Sequence, residues 1–482
     1  MGKDKMKEAL EILSPEQINQ IHNTAIRILS EIGMKINHQE ILSLLRGTEA
    51  EVDVKSGIVK MNEYLVMDSV EKTTKKYILY GRDRGKQARF GYGHFNCLSS
   101  GGMSAWVDLA KNERRAPTLK DATCGIRIGD ALPEIDIVGA FAVPKDVPPE
   151  VKDIHLFAEL MKNTTKPVCV FFNNGKTTRY VLEMCKIVRG EERELKDQPI
   201  LDLLASPISP LQYSKEVMEN LLEFSKLGLP VGFAPMVMPM ATGPSTLAGS
   251  IAQCNAEILA GVVISQLLSP GMPVLYVGIP HIIDPATANI SFGSPEQGLM
   301  AAITTQIGKS YGFPVGTNVG LTDAKCADAQ NGMEKATTLL LAALAGTDLS
   351  GHMGICGPDE GASLCQLIID NEVISYVRRI LRGLQVSNET LAFDVIKRVG
   401  IGGDFFTDQH TLRHFRNEIW FPELLDRGGW ELWSERGRKS LLDKAVERRK
   451  RLLRDHKVEP LNEDISQELD RIVKAADKDI LG

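Results

Sequence analysis

The chain has 482 residues, with 43% hydrophobic and 24% charged residues, the balance of an ordinary globular protein able to bury its own core. At about 100–200 residues per domain, that length fits two to four units or one elaborated α/β barrel. A formal net charge of -6, from 56 Lys and Arg against 62 Asp and Glu, supplies no broad cationic field and argues against nucleic acid as a partner. The charged opening MGKDKMKEALEIL lacks the apolar core of a secretory signal, and no apolar run reaches the roughly 18 residues of a membrane span. A cytoplasmic location is expected. The eight cysteines are scattered without a CxxC and read as reduced thiols, with neither a disulfide framework nor a metal site expected.

In chain order, SPEQINQIHNTAIRILSEIGMKI predicts a helix capped by Ser14 with Pro15 in its first turn. Ile18, Ile21, Ala25, Ile28 and Leu29 recur at helical spacing. Residues 1–93 are therefore read as an N-terminal helical region. From residue 94 to 384, short apolar runs alternate with amphipathic stretches: FNCLSS, IDIVGAFAV, PVCVFFN, ILDLLAS, PVGFAPM, PVLYVGI, FPVGTNV and DLSGHMGI. Their starts lie about 30–45 residues apart, the spacing of successive βα units. Eight strands of continuous apolar character, each followed by a helix, predict an α/β fold of the (β/α)8 TIM-barrel type, with a doubly wound open sheet as the alternative. Residues 385–482 lose the alternation and are read as a C-terminal helical extension. Its charged tail KAVERRKRLLRDHK lies either on the surface or against another subunit.

Reacting groups of such barrels sit at the C-terminal ends of the strands. The candidates by position are Pro144, Asn173, Asn174, Ser206, Pro235, Met236, His281, Asn318, Thr322, Asp323, Lys325 and His352. HExxH, GxxxxGK[ST], GxSxG and a strand-following GxGxxG are all absent, which removes support for a zinc hydrolase, a nucleotide enzyme and a serine hydrolase. A mouth so poor in acids and bases suits a substrate whose leaving group is already cationic. A quaternary ammonium departs as a neutral amine, so the protein need only bind, align and exclude water. Aromatic rings and carboxylates suit such a cation. Tyr92, Phe95, Trp106, Phe172, Phe233, Tyr276 and Phe292 are candidate cage walls, or else core side chains. Asp323 is either a carboxylate facing the cation or a loop cap. His352, His281 and Lys325 are candidate partners for a substrate carboxylate, or else structural, and Asn318 joins them as a binding candidate.

Four segments carry a resemblance: EQINQIHNTAIRILSEIGMKI, FGSPEQGLMAAITTQIGKSYGFP, TDAKCADAQNGMEKA with LAGTDLSGHMGICG behind it, and GGDFFTDQHTLRHFRNEIW. Together they resemble the trimethylamine methyltransferase superfamily across nearly the whole chain. The resemblance implies a (β/α)8 barrel that passes a methyl group from a methylamine to the Co(I) corrinoid (cobalamin) of a separate small protein. It also implies that this chain binds no cofactor tightly itself. The founding branch carries pyrrolysine, whereas every letter here is a standard residue. The chain thus looks like the non-pyrrolysine branch, whose members demethylate quaternary amines such as glycine betaine, proline betaine or carnitine. The expected partners are a cognate corrinoid protein, a small quaternary amine and further copies of the chain as a homo-oligomer. Asp323 and His352 as catalytic residues, and the binding set above, rest on position, strengthened for Asp323, Lys325 and His352 by lying in the segments that carry the resemblance. A lyase or isomerase acting on a phosphorylated substrate, and a non-catalytic scaffold, are the competing readings.

Overall fold

The computed structural model describes residues 10–190, 192–358 and 361–482. Its centre is a closed barrel of eight parallel strands: β1 (Asn96–Ser99), β2 (Val138–Gly139), β3 (Val168–Cys169), β4 (Leu203–Ala205), β5 (Val231–Phe233), β6 (Val274–Val277), β7 (Val315–Thr317) and β8 (Leu349–Met353). Strands β4 to β8 pair in order, and β8 returns to β1. Leu98 bridges Ile137 to join β1 with β2, β2 pairs with β3, and Val168 N–H donates to the Ile200 carbonyl at 3.1 Å to join β3 with the approach to β4.

Each strand is followed by a helix: α1 (Leu119–Ala131), α2 (Lys152–Asn163), α3 (Gly175–Arg189), α4 (Lys215–Leu227), α5 (Leu247–Leu268), α6 (Pro295–Ser310), α7 (Ala329–Ala345) and α8 (Leu364–Leu381). This is the (β/α)8 TIM barrel expected from the strand spacing. The strands are apolar throughout because one face meets the barrel interior and the other meets the helices. The interior cluster contains Leu98, Ile137, Cys169, Ala234, Leu275, Val277 and Leu349, while Val168, Val231, Phe233 and Tyr276 pack outward with the helix layer.

The N-terminal additions are mixed rather than wholly helical. The helix Pro15–Arg27 forms as expected, with a reciprocal Ser14–Gln17 capping box and Pro15 at its start. It is followed by three-residue strands, too short to leave an alternation in the sequence, and by a hairpin pairing Tyr77–Tyr80 with Gln87–Phe90. Tyr77, Leu79, Ala88 and Phe90 of that hairpin join the interior cluster and plug the barrel at the N-terminal ends of its strands. Helix α5 is apolar around its whole circumference, and every residue from Ser250 to Gln266 is buried, because the N-terminal helices cover the face a barrel helix normally shows to water.

The charged tail packs on the barrel. Leu441–Asp455 lies against α8 and α1, and Glu463–Leu481 lies against α3 and α2, burying Leu469 and Ala476. None of the eight cysteines forms a disulfide, and six of them are buried.

Candidate active site

The two-residue alternation of a strand continues past the strand ends and sorts the residues at the C-terminal face. Phe171 continues the inward series of Cys169, and Ser206 that of Leu204. Met236 follows Ala234, Ile279 follows Val277, and Asn318 follows Gly316. His352 joins them on β8, where a shift of register between Ser350 and Met353 breaks the count in twos from Leu349. These six, one from each of β3 to β8, all retain accessible surface inside an otherwise sealed barrel, so they line a cup that opens at this face. Phe171 is 44% exposed and lies 5.7 Å from the His352 ring.

His352 is fixed by β1. Its Nδ1 accepts the backbone N–H of Gly101 at 2.9 Å, which leaves the imidazole proton on Nε2. Burial of the ring lowers its pKa to about 4, so it is neutral at physiological pH. The three residues meet closely at Gly101: a Cβ there would lie 2.8 Å from the Phe171 ring and 3.2 Å from His352.

His281 and Asn318 meet through a residue that positional reasoning passed over. The fully buried His281 donates from Nδ1 to the Ile279 carbonyl at 2.7 Å, so its Nε2 accepts, and Gln297 Nε2 donates to it at 3.0 Å. The same Gln297 amide nitrogen also donates to the Asn318 carbonyl oxygen. Desolvation lowers the His281 pKa to about 4, and the Phe292 ring stacks edge-on at 4.4 Å. The side-chain oxygens of Gln297 and Asn318 are buried without a protein partner. Gln297 sits in the first turn of α6, after the Ser294 cap, a place that strand-end reasoning does not reach.

A buried ion pair holds the neighbouring loops. Lys335 Nζ lies 3.0 Å from Asp370 and donates to the Gly320 carbonyl at 2.9 Å. Asp370 accepts the Gly354 N–H at 2.7 Å. Both loops that leave β7 and β8 are thereby tied to α7 and α8. Neither residue stands at a strand end, so neither was a candidate.

The other positional candidates are placed elsewhere. Asp323 accepts from Ser291 Oγ and from the Phe292 N–H at 2.6 Å, which locks the hairpin Ile282–Ser291 over the rim. Glu334 grips the same loop, accepting from Thr322 Oγ1 at 2.6 Å and the Asp323 N–H at 2.8 Å. Lys325 is exposed and donates to the Asp323 carbonyl at 2.8 Å. With Asp323 it lines a separate cavity of about 340 Å³ under the hairpin. Asn174 caps α3, and Asn173 binds the buried Asp153.

None of the seven candidate cage aromatics is among the six residues that line the cup: Trp106 packs edge-on against Phe141, and Phe292 against His281. Phe172, one residue out of phase with Phe171, packs edge-on against Phe224 of α4. Phe233 packs against Tyr213 and Gly261 of α5, and Tyr276 donates to Asn255 of α5 at 2.9 Å. Phe95 precedes β1, and its carbonyl accepts from Arg378. Tyr92 lies beside Lys76, also ahead of β1. Both are at the N-terminal end of the barrel, opposite the cup.

Chemically, the cup has an aromatic ring, two apolar walls, a hydroxyl, an amide and a neutral imidazole donor. Among the described residues no group of three His, Cys, Asp or Glu side chains converges as a metal-ligand set.

Residues 3–480 match the family model described as trimethylamine methyltransferase (MTTB). The chain is 32% identical over 461 residues to the trimethylamine methyltransferase MttB of Desulfitobacterium hafniense, covering 96% of this chain and 93% of that protein. It is 29% identical over 426 residues to a glycine betaine methyltransferase of Desulfitobacterium hafniense, covering 88% of each. The crystal structure of the Methanosarcina barkeri monomethylamine methyltransferase (MtmB) shares the fold at a TM-score of 0.50 and 12% identity, over 97% of this chain and 92% of that one. A methyltransferase barrel built only from standard residues, the chain belongs to the MTTB trimethylamine methyltransferase family.

Proposed function

We propose that the chain transfers a methyl group from a quaternary amine of the betaine class to the Co(I) corrinoid of a partner protein that docks over the C-terminal face. The observation that carries this reading is the neutral, oriented Nε2–H of His352 beside the half-exposed Phe171 ring. A substrate carboxylate accepts from Nε2, and the onium head rests against Phe171, a contact worth about 0.5–2 kcal/mol. Desolvation matters here in a second way. A charged imidazolium would repel the substrate's cation, whereas the neutral ring donates without that penalty.

The partner's Co(I) supplies the nucleophile. The C–N bond breaks and its electron pair stays on nitrogen as a neutral tertiary amine. The methyl carbon takes a pair from cobalt, which becomes formally Co(III). No proton moves, in keeping with a cup that carries no carboxylate among the described residues. The protein's share is alignment and exclusion of water.

The test mixes the purified chain with reduced corrinoid protein and a panel of glycine betaine, proline betaine, carnitine, trimethylamine and tetramethylammonium, following Co(I) loss by absorbance. Methylation from at least one betaine is expected, and turnover of trimethylamine alone overturns the proposal. His352→Ala is expected to raise KM for carboxylate-bearing amines at least tenfold more than for tetramethylammonium. Equal losses on both remove the anchoring role.

A further inference from the structure

Glu257, halfway along α5, is fully buried, and among the described residues no cation stands beside it. Its carboxylate meets neutral donors instead: Ser209 Oγ at 2.6 Å, the Leu211 N–H at 2.9 Å and Gln253 Nε2 at 2.9 Å. A buried carboxylate without a cation is costly, and desolvation raises its pKa. What a carboxyl group offers at such a place is acceptor capacity, about four lone-pair sites on two oxygens, enough to gather all of these donors at one point.

Two loops are joined through it. Ser209 and Leu211 belong to the loop that leaves β4, and Tyr213, at the end of that loop, donates from Oη to the Glu257 carbonyl at 2.9 Å. Gln253, one turn earlier on α5, uses the same amide nitrogen to donate to the Thr242 carbonyl at 2.8 Å, and Thr242 Oγ1 accepts the Met238 N–H at 2.9 Å. A continuous line of hydrogen bonds thus runs from the loop after β4, through Glu257 and Gln253, to the Met238–Gly243 turn in the loop after β5.

The parts of these loops nearest the strands have other supports. The Ala234 N–H donates to the Ala205 carbonyl at 3.1 Å, and the N–H groups of Ile279 and His281 donate to the Pro235 and Val237 carbonyls, each at 3.2 Å. Ser206 and Met236 of the cup stand beside these ladder bonds. Ile208 and Met240 stand beyond them, each 55% exposed, on the stretches that Glu257 and Gln253 tie together. A protein seated over the cup meets those outer stretches. We infer that Glu257, acting through Gln253, is a positioning residue for the methyl-accepting protein. It touches neither substrate nor partner, and it fixes the outer β4 and β5 loops against one another so that the docking face is preformed. The kinetic part of this inference rests on the methyl-transfer reading above.

Hydrogen–deuterium exchange of the substrate-free full chain is compared for the parent, Glu257→Ala, Glu257→Gln and Ser209→Ala, and methyl transfer to reduced corrinoid protein is measured for each. Glu257→Ala is expected to speed exchange of segments 206–213 and 238–243 by about tenfold or more. It should raise KM for the corrinoid protein at least about fivefold, with kcat and the amine KM within about threefold of the parent. Glu257→Gln is expected to restore both, because its oxygen keeps Leu211 and Gln253 while its amide donates to Ser209, whose hydroxyl turns from donor to acceptor. Should Glu257→Ala fail to fold, Ser209→Ala, at a half-buried side chain, removes one donor and is expected to speed exchange in 206–213 while 238–243 stays protected. Exchange unchanged in these variants, a loss of kcat with KM for the corrinoid protein unchanged, or Glu257→Gln as impaired as Glu257→Ala overturns the inference. If the parent methylates from no amine, the functional reading fails by itself, and the exchange comparison still decides whether Glu257 holds the loops.

Discussion

The backbone N–H of Gly101, just past the end of β1, donates to Nδ1 of His352 on the neighbouring strand β8 at 2.9 Å. One hydrogen bond sets both the tautomer and the direction of an imidazole that opens into the cup.

Gly101→Ala tests that arrangement directly. The new methyl group would meet the Phe171 ring at 2.8 Å, and the half-exposed ring can swing away. Loss of its contact with an onium head, about 0.5–2 kcal/mol, predicts a fall of roughly 2–30-fold in kcat/KM for quaternary amines. Stability should change by less than about 1 kcal/mol in denaturant melts, as expected where a half-exposed ring can give way.

Asp323 is expected to act through the hairpin it holds. Asp323→Ala removes the acceptor for Ser291 and Phe292. The predicted result is cleavage of the Ile282–Ser291 hairpin in limited proteolysis and a raised KM, with kcat within about tenfold of the parent because no bond to the reacting group is lost. A loss of kcat beyond about a thousandfold with the hairpin still protected would instead put the carboxylate in the chemistry.

The eight βα units were legible because each strand is a compact apolar run of the right length and spacing. The same property hid which way the side chains face. A strand covered on both sides is apolar at every position, so Phe171 and Phe172 look alike in sequence, yet one lines the cup and the other packs on Phe224. Counting in twos from Cys169 distinguishes them once the strand's phase is known. Asn318, His281 and His352 were reachable from strand ends. Gln297, Lys335 and Asp370 sit on helices, and their roles exist only through contacts between segments far apart in the chain.

Lys335 and Asp370 form an ion pair with both side chains fully buried. Lys335→Met strands the carboxylate and is expected to cost about 3–5 kcal/mol in equilibrium unfolding. Lys335→Met/Asp370→Leu should be less destabilised than the single variant, since no charge is left unpaired. It should still raise KM, because the Gly320 carbonyl and the Gly354 N–H lose their ties. If the double variant is the less stable of the two, the pair's charge is not what matters.

Asp202, buried beneath the barrel and bonded to Tyr77 Oη at 2.9 Å, has its pKa raised to about 6 by desolvation. The unfolded value is about 3.9. Between these values the folded chain holds a proton that the unfolded chain has released, so this residue's contribution to stability falls as pH rises. The difference amounts to about 3 kcal/mol between pH 3.5 and pH 7. Asn at this position does not titrate. The unfolding free energy of Asp202→Asn should therefore gain by about 2 kcal/mol relative to the parent as pH goes from 4 to 7, and a constant difference across the range rules out the shift.

The Tyr77–Phe90 hairpin makes the barrel blind at its lower end. A small molecule in the cup has one way in and the same way out. For transfer to a protein seated over that opening, the amine must arrive before the lid-like partner does, and the demethylated product waits until the partner leaves. The kinetics should then be compulsory-ordered. Excess methyl acceptor should inhibit by closing empty cups, an effect that higher amine concentrations relieve.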